Sequence, residues 1–177
     1  DYNATSLIAW SPLNETWKPD VDGQRARLTN DLYFLTHRLD RTRPVVAVSG
    51  GYHAGFTDIY AEHTYVQDPV ARYNQLKLKD DGTPYIHHPK FSVPYKGEAY
   101  RIDEFGGIQW IKEMKAAELA GADEFWGYGK PPRTIEEFYK RLEEQVNVIL
   151  SLDYITGFCY TQIVDVELEK NGIYTYD

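Results

Sequence analysis

The sequence predicts an α/β fold with parallel strands, part of a (β/α)8 barrel, and three observations predict it. Short apolar runs alternate with helix-period segments along the 177 residues, the pattern of successive βαβ units. The most distinctive polar residues follow directly on those apolar runs, where a barrel carries its active site. A complete barrel takes about 250 residues, roughly 31 per βα unit. A chain of this length holds five or six units and is expected to be a fragment.

The first strand is placed at 6–10, Ser6-Leu-Ile-Ala-Trp10, closed by Ser11-Pro12, with Asn14 and Glu15 in the loop beyond. Leu28, Leu32, Leu35 and Leu39 recur at spacings of 4, 3 and 4, which marks one apolar face of a helix from Gln24 to Asp40 that ends near Arg43-Pro44. A second strand, 45–49, follows, and Gly50-Gly51 turns the chain into a third at 58–63, with His63 and Tyr65 at its end. The stretch from Gln67 to Gly97 is polar and proline-bearing, and reads as a long loop with one short helix around Pro69 to Leu76; such loops are usually functional. A fourth strand at 98–103 ends at Glu104-Phe105-Gly106-Gly107, and Ile108 to Leu119 looks helical. Thr134-Ile-Glu-Glu137 has the form of a capping box, continued by Ile135, Phe138, Leu142, Val146 and Ile149. The last strand is 155–160, ending in Tyr160, before the acidic loop from Asp165 to Glu169.

Charge narrows the partners. Nineteen Lys and Arg against 27 Asp and Glu give a net charge of −8, which argues against nucleic acid or an anionic membrane surface. No apolar run approaches the roughly 18 residues of a membrane span. Cys159 is the single cysteine, so an internal disulfide framework and multi-cysteine zinc sites are excluded, while the compartment stays open. No linker divides the chain, and residues 1–177 read as a single domain. It begins at Asp1 with neither Met nor a signal segment, and we expect it to belong to something longer. Fifteen Tyr, 7 Phe and 4 Trp suit sugar binding as well as core packing.

Glu15 and Glu104 stand 89 residues apart, close to three barrel units, and the strand count also places them three strands apart. Two carboxyls at such strand ends meet the requirement of glycoside hydrolysis: one carboxylic acid protonates the leaving oxygen, and one carboxylate attacks or activates water at the anomeric carbon. A lone loop glutamate is usually just solvated; a pair at matching strand ends is a stronger signal.

Three segments carry a resemblance: Ile8-Ala-Trp-Ser-Pro-Leu-Asn-Glu-Thr-Trp17, Asp103-Glu-Phe-Gly-Gly107, and Thr156-Gly-Phe-Cys-Tyr-Thr-Gln162 with the run Asp165 to Gly172. Together they resemble the catalytic barrel of glycoside hydrolase family 2, which holds β-galactosidases, β-glucuronidases and β-mannosidases. The likeness covers nearly the whole chain, from the fourth barrel strand to just past the eighth. It implies that Glu15 is the acid/base, that Asn14 holds the sugar 2-hydroxyl, and that Glu104 is the nucleophile. His63 or Tyr65 would stand near the nucleophile, and the resemblance does not choose between them. Tyr160 falls where many members carry a Trp in the sugar-binding wall. Gly107 stands where the large lactose-splitting enzymes place a His, so neither galactose specificity nor that subgroup's metal dependence carries over.

Other features are set aside. His87 and His88 are adjacent, and neighbours on an extended segment point opposite ways, which disfavours a metal site. The Asp165–Glu169 run lacks the Gly and Glu of a calcium loop. Cys159, within an apolar strand, reads as an inert buried thiol. Ser49-Gly50-Gly51 lacks the flanks of a serine-hydrolase elbow.

The sequence thus predicts a retaining exo-β-glycosidase fragment, β-galactosidase-like in the broad sense, that acts on a carbohydrate substrate without metal or other cofactor. As an isolated piece it is expected to be inactive and to associate, either as a homodimer or with the remainder of its own enzyme, because Ser6 to Trp10 would leave an unpaired strand edge. Two rivals stay open: an endo-acting barrel glycosidase of the cellulase or mannanase type, and a catalytically silent carbohydrate-binding barrel.

Overall fold

The structure, a computed structural model, describes residues 3–16, 24–111 and 125–175. In chain order the elements are β1 (Asn14–Thr16), α1 (Gln24–Leu39), β2 (Ser49–Gly51), β3 (Ile59–Thr64), α2 (Pro69–Leu76), β4 (Ala99–Gly106), α3 (Ile135–Leu150) and β5 (Ile155–Thr161). This is an α/β fold with parallel strands. β1 pairs with β2 in parallel, and β3, β4 and β5 lie in that order in a second sheet. The chain forms two compact units. The first comprises Asp1–His63, Leu78–Asp103 and Tyr154–Gly157, and the second Thr64–Lys77, Glu104–Asp153 and Phe158–Asp177.

In the first unit, the predicted strand at 6–10 is displaced. Trp10 makes one parallel bridge to Val45, and regular pairing resumes only with Asn14 opposite Ser49 and Thr16 opposite Gly51. All three pairs share one register, each partner lying 35 residues further along. Trp10 N–H donates to Pro44 O at 3.0 Å, and Val46 N–H to Trp10 O at 2.8 Å. Pro12 then interrupts the ladder because it has no N–H to give. Asn14 and Glu15, expected in a loop, are therefore part of the resumed strand. Val45 to Val48, Tyr52, Tyr60, Ala61, Tyr100 and Ile102 form the buried core of this unit.

α1 forms as predicted but ends at Leu39, four residues short of Arg43, with His37 and Arg38 in its last turn, where cations complement the helix dipole. Its leucine stripe is not its buried face: Leu28, Leu35 and Leu39 are 51%, 49% and 70% exposed. The helix is held instead through polar groups. Tyr33 Oη donates to Asp58 Oδ1 at 2.7 Å, His37 Nε2 lies 2.7 Å from Asp58 Oδ2, and Val45 N–H donates to Asp58 Oδ2 at 2.8 Å. At the C-terminal end, buried Asp40 accepts from the Trp10 indole at 2.9 Å and from Arg43 at 2.8 Å.

In the second unit α2 and α3 pack together. α2 starts at Pro69 behind Asp68, whose side chain accepts from Ala71 N–H at 2.7 Å. Thr134 caps α3 by accepting from Glu137 N–H at 3.2 Å, but Glu137 returns its carboxylate to Arg133 N–H at 2.8 Å and not to the cap residue. Phe138, Gln145 and Ile149 are buried. Of the helix predicted from Ile108 to Leu119, residues 112–119 lie outside the described residues. Residues 108–111 are not helical, and Ile108 bridges Tyr128 in parallel.

Candidate active-site residues

In the first unit Glu15 sits mid-way along β1 with φ of +51°, a left-handed conformation that costs a non-glycine residue of order 1 kcal/mol or more. Its carboxylate Oε1 lies 3.1 Å from Nδ1 of His63. His63 projects from β3 with its side chain 2% exposed, and its Nε2 lies 3.0 Å from Ser49 Oγ and 3.3 Å from Asp103 Oδ1. The ring lies against the β2 backbone: a Cβ on Gly50, at φ +63°, would meet it at 2.5 Å. Gly50 therefore supplies both the turn conformation and the space the imidazole fills.

Beside this group is a second buried pair. His53 Nε2 donates to Ala61 O at 2.9 Å and lies 3.9 Å from Glu62 Oε1. Burial pushes the Glu62 carboxyl up to about 8 and the His53 imidazole down to about 4. At neutral pH both are uncharged, so their proximity is not an ion pair. The other Glu62 oxygen accepts from His87 N–H at 3.2 Å and so ties down the long segment between α2 and β4. The same segment is held by Tyr60 Oη on Val93 O and by Tyr100 Oη on Tyr85 O. His87 and His88 do not diverge as expected of an extended run; their rings stack at 4.3 Å and 14°. The His87 imidazole is shifted down, by burial first and then by His88 and His63, with Glu15 opposing.

In the second unit Tyr65 Oη donates to Glu104 Oε2 in a short hydrogen bond. Burial first, and then this bond, raise the phenol far above its usual value, so Tyr65 remains a proton donor. Its ring stacks on Tyr128 at 3.7 Å and 7°. A Cβ on Gly107, at φ +56°, would overlap the ring of Tyr128, so the space beside Gly107 is filled by that ring. Gln67 closes the back of the group. Its Nε2 donates to Tyr65 O at 2.9 Å and to Gly106 O at 2.6 Å, while its Oε1 accepts from buried Gln145 at 3.1 Å.

Of the two residues at the end of the third predicted strand, Tyr65 donates to Glu104 and His63 Nδ1 lies 3.1 Å from Glu15. Asn14 is exposed at the start of β1. Tyr160 is half-buried, with its hydroxyl accepting from Ile108 N–H at 3.1 Å and donating to Asn171 O at 3.3 Å, while its ring packs on Gly106 and edge-on against Phe105. Cys159, expected to be buried, is exposed, because β5 ends the sheet order and its outer positions are uncovered. Asp165 accepts from Gly172 N–H at 2.9 Å and pairs with Lys170 at 3.6 Å, so the acidic loop is folded around its own carboxylate. Asp103, Ser49 and Gln67 were not singled out as site residues. Asp103 and Gln67 carry a signal only by position, next to Glu104 and two residues from Tyr65, and Ser49 was met only in a motif set aside.

The sequence matches no family model and no curated protein. Among solved structures, the β-D-glucuronidase of Dictyoglomus thermophilum is 18% identical with a TM-score of 0.66, over 99% of this chain and 30% of that one. A β-glucuronidase from an uncultured Clostridium sp. is 16% identical with a TM-score of 0.62, over 95% of this chain and 29% of that one. The chain thus spans under a third of either enzyme's length, and at this identity the likeness is one of fold.

Proposed function

We propose that residues 1–177 are one catalytic-domain fragment, about strands 4 to 8 of a family 2-like (β/α)8 barrel, from a retaining exo-β-glycosidase. One observation supports this reading above the others: each glutamate that the sequence marks as a reacting carboxyl is held by an aromatic side chain from the end of β3, Glu15 by His63 and Glu104 by Tyr65. Structural positions occupied by merely solvated glutamates have no need of such partners.

In this reading the Glu104 carboxylate attacks the anomeric carbon while the bond to the leaving oxygen breaks, and Glu15 gives that oxygen its proton. Water then attacks the glycosyl ester, Glu15 takes the water's proton, and the ester bond breaks to return Glu104. Tyr65 holds one oxygen of Glu104 and orients the other. Asn14 takes the sugar 2-hydroxyl, and the Tyr160 ring provides an apolar wall.

The test uses the full-length protein on aryl β-galactosides, glucuronides, mannosides and glucosides. Glu104→Ala should abolish turnover of every substrate. Glu15→Ala should slow substrates with poor leaving groups by about 10²–10⁴-fold and activated aryl glycosides far less. Equal losses on both kinds would remove Glu15 as the acid. Turnover of long polysaccharides alone would indicate the endo-acting class, and no turnover of any substrate a silent barrel.

A further inference from the structure

We propose that Asp103 is a positioning residue, which acts through His63 to hold a proton on the ring's Nε2 and so keep Nδ1 facing Glu15 as the partner of the acid's own proton. The inference rests on the reading of Glu15 as acid/base, and it deepens that reading by naming what sets the acid's proton.

The geometry is that of a carboxylate, an imidazole and a second carboxyl in series. Glu15 Oε1 is 3.1 Å from Nδ1, and Asp103 Oδ1 is 3.3 Å from Nε2. Asp103 Oδ1 is buried and has no hydrogen-bond partner among the described residues. An ionised oxygen in that position is costly unless a proton faces it, and the ring nitrogen it faces is Nε2. Ser49 Oγ, 3.0 Å from the same nitrogen, donates or accepts equally well, so the charged neighbour decides. The ring packs directly on the Gly50 backbone, in the space a Cβ would take.

With Nε2 protonated, the proton between Glu15 and Nδ1 has two resting places. It sits on Glu15, which donates to a neutral ring, or on Nδ1, which donates to an ionised Glu15. In both states Asp103 faces an N–H. Two neighbouring groups do not supply this: Glu62, next to His63 on β3, is uncharged at neutral pH, and His87 is a base that opposes a second cation nearby. A histidine fixed in one tautomer by a buried carboxylate is a known way to keep an acid–base partner correctly presented.

Nitrogen-15 NMR of the imidazoles in the 177-residue chain reads this directly. There are 5 histidines, and His63→Gln identifies the His63 signals. Nε2 should be protonated from pH 5 to 9, whatever the state of Nδ1. Asp103→Asn should give a mixture of tautomers, and Ser49→Ala should leave Nε2 protonated. A bare Nε2 in the unsubstituted chain, unchanged His63 signals in Asp103→Asn, or loss of the Nε2 proton in Ser49→Ala would each overturn the proposal. If Asp103→Asn fails to fold, as His37 and His53 signals would report, the unsubstituted chain and Ser49→Ala still decide. In the full-length enzyme Asp103→Asn should slow substrates with poor leaving groups about tenfold or more, within the range general acid catalysis supplies, and activated aryl glycosides less. Absence of turnover in every variant would sink the glycosidase reading while the NMR result on Asp103 stood.

Discussion

Glu62 and His53 show how burial alone writes a pH dependence into this chain. Glu62 is pushed up from 4.5 to about 8, so its contribution to stability is fully present below pH 4.5 and is lost as pH rises to about 8. His53 is pushed down from 6.5 to about 4, so its contribution is fully present above pH 6.5 and is lost as pH falls to about 4. Between pH 4.5 and 6.5 the two slopes oppose, and between 6.5 and 8 only the Glu62 loss remains. That window should cost about 2 kcal/mol, a fall in Tm of roughly 4–8 °C. Glu62→Gln, neutral throughout, should remove the fall; thermal melts of both proteins at pH 6.5 and 8 test it, and equal falls would locate the effect elsewhere. Neither residue was legible as special from sequence, because their shifts come from the packing of β3 under the segment that His87 anchors. Glu15 and Glu104 were legible, since each follows an apolar run in a short motif. Asp103 was not: it stands beside Glu104 in that motif, but its partner His63 lies 40 residues earlier, and sequence alone does not join the two.

Helices α1 and α3 differ in what their apolar periodicity means. In α3 the periodic residues and the cap agree with the structure: Phe138 and Ile149 are buried and Thr134 caps the first turn. In α1 the leucine spacing correctly indicates a helix but not the face that packs, because the inward face is polar and is held on Asp58 through Tyr33 and His37. Periodicity reports which stripe is apolar; burial is decided by what lies opposite. Three substitutions separate these contributions. Thr134→Ala should cost about 1 kcal/mol. Leu39→Gln, on the exposed stripe, should stay within about 0.5 kcal/mol of the starting protein. Asp58→Ala, which strips Val45 N–H, Tyr33 and His37 of one shared acceptor, should cost roughly 2 kcal/mol or more. Denaturant unfolding checks all three, and a large loss from Leu39→Gln would mean that the leucine stripe is covered in solution.

For the molecule as a whole, the alternation of strand and helix was enough to predict an α/β fold with parallel strands, since that depends on local pattern. The exact pairing was not, because it joins segments 35 residues apart and Pro12 displaces the regular ladder to Asn14–Thr16. Self-association is expected from an open edge at Ser6 to Trp10, on the side away from the bridge to Val45, and the α1 stripe is a further exposed apolar surface of the first unit. Leu28, Leu35 and Leu39 are each half or more exposed, and covering the rest of each is worth about 1 kcal/mol. Two copies joined stripe to stripe would gain on the order of 6 kcal/mol, against an association cost of about 4 kcal/mol or more. The net gain of about 2 kcal/mol corresponds to a Kd of tens of millimolar, so this stripe alone supports only very weak association. Sedimentation of the 177-residue chain should therefore show a weight-average mass close to the monomer's up to about a millimolar and rising only above it. Replacing Leu28, Leu35 and Leu39 together by Lys should suppress the rise while leaving the circular dichroism of the helices unchanged. Association already at micromolar concentration, or a triple variant that associates as before, would show that the stripe is not the surface through which copies meet.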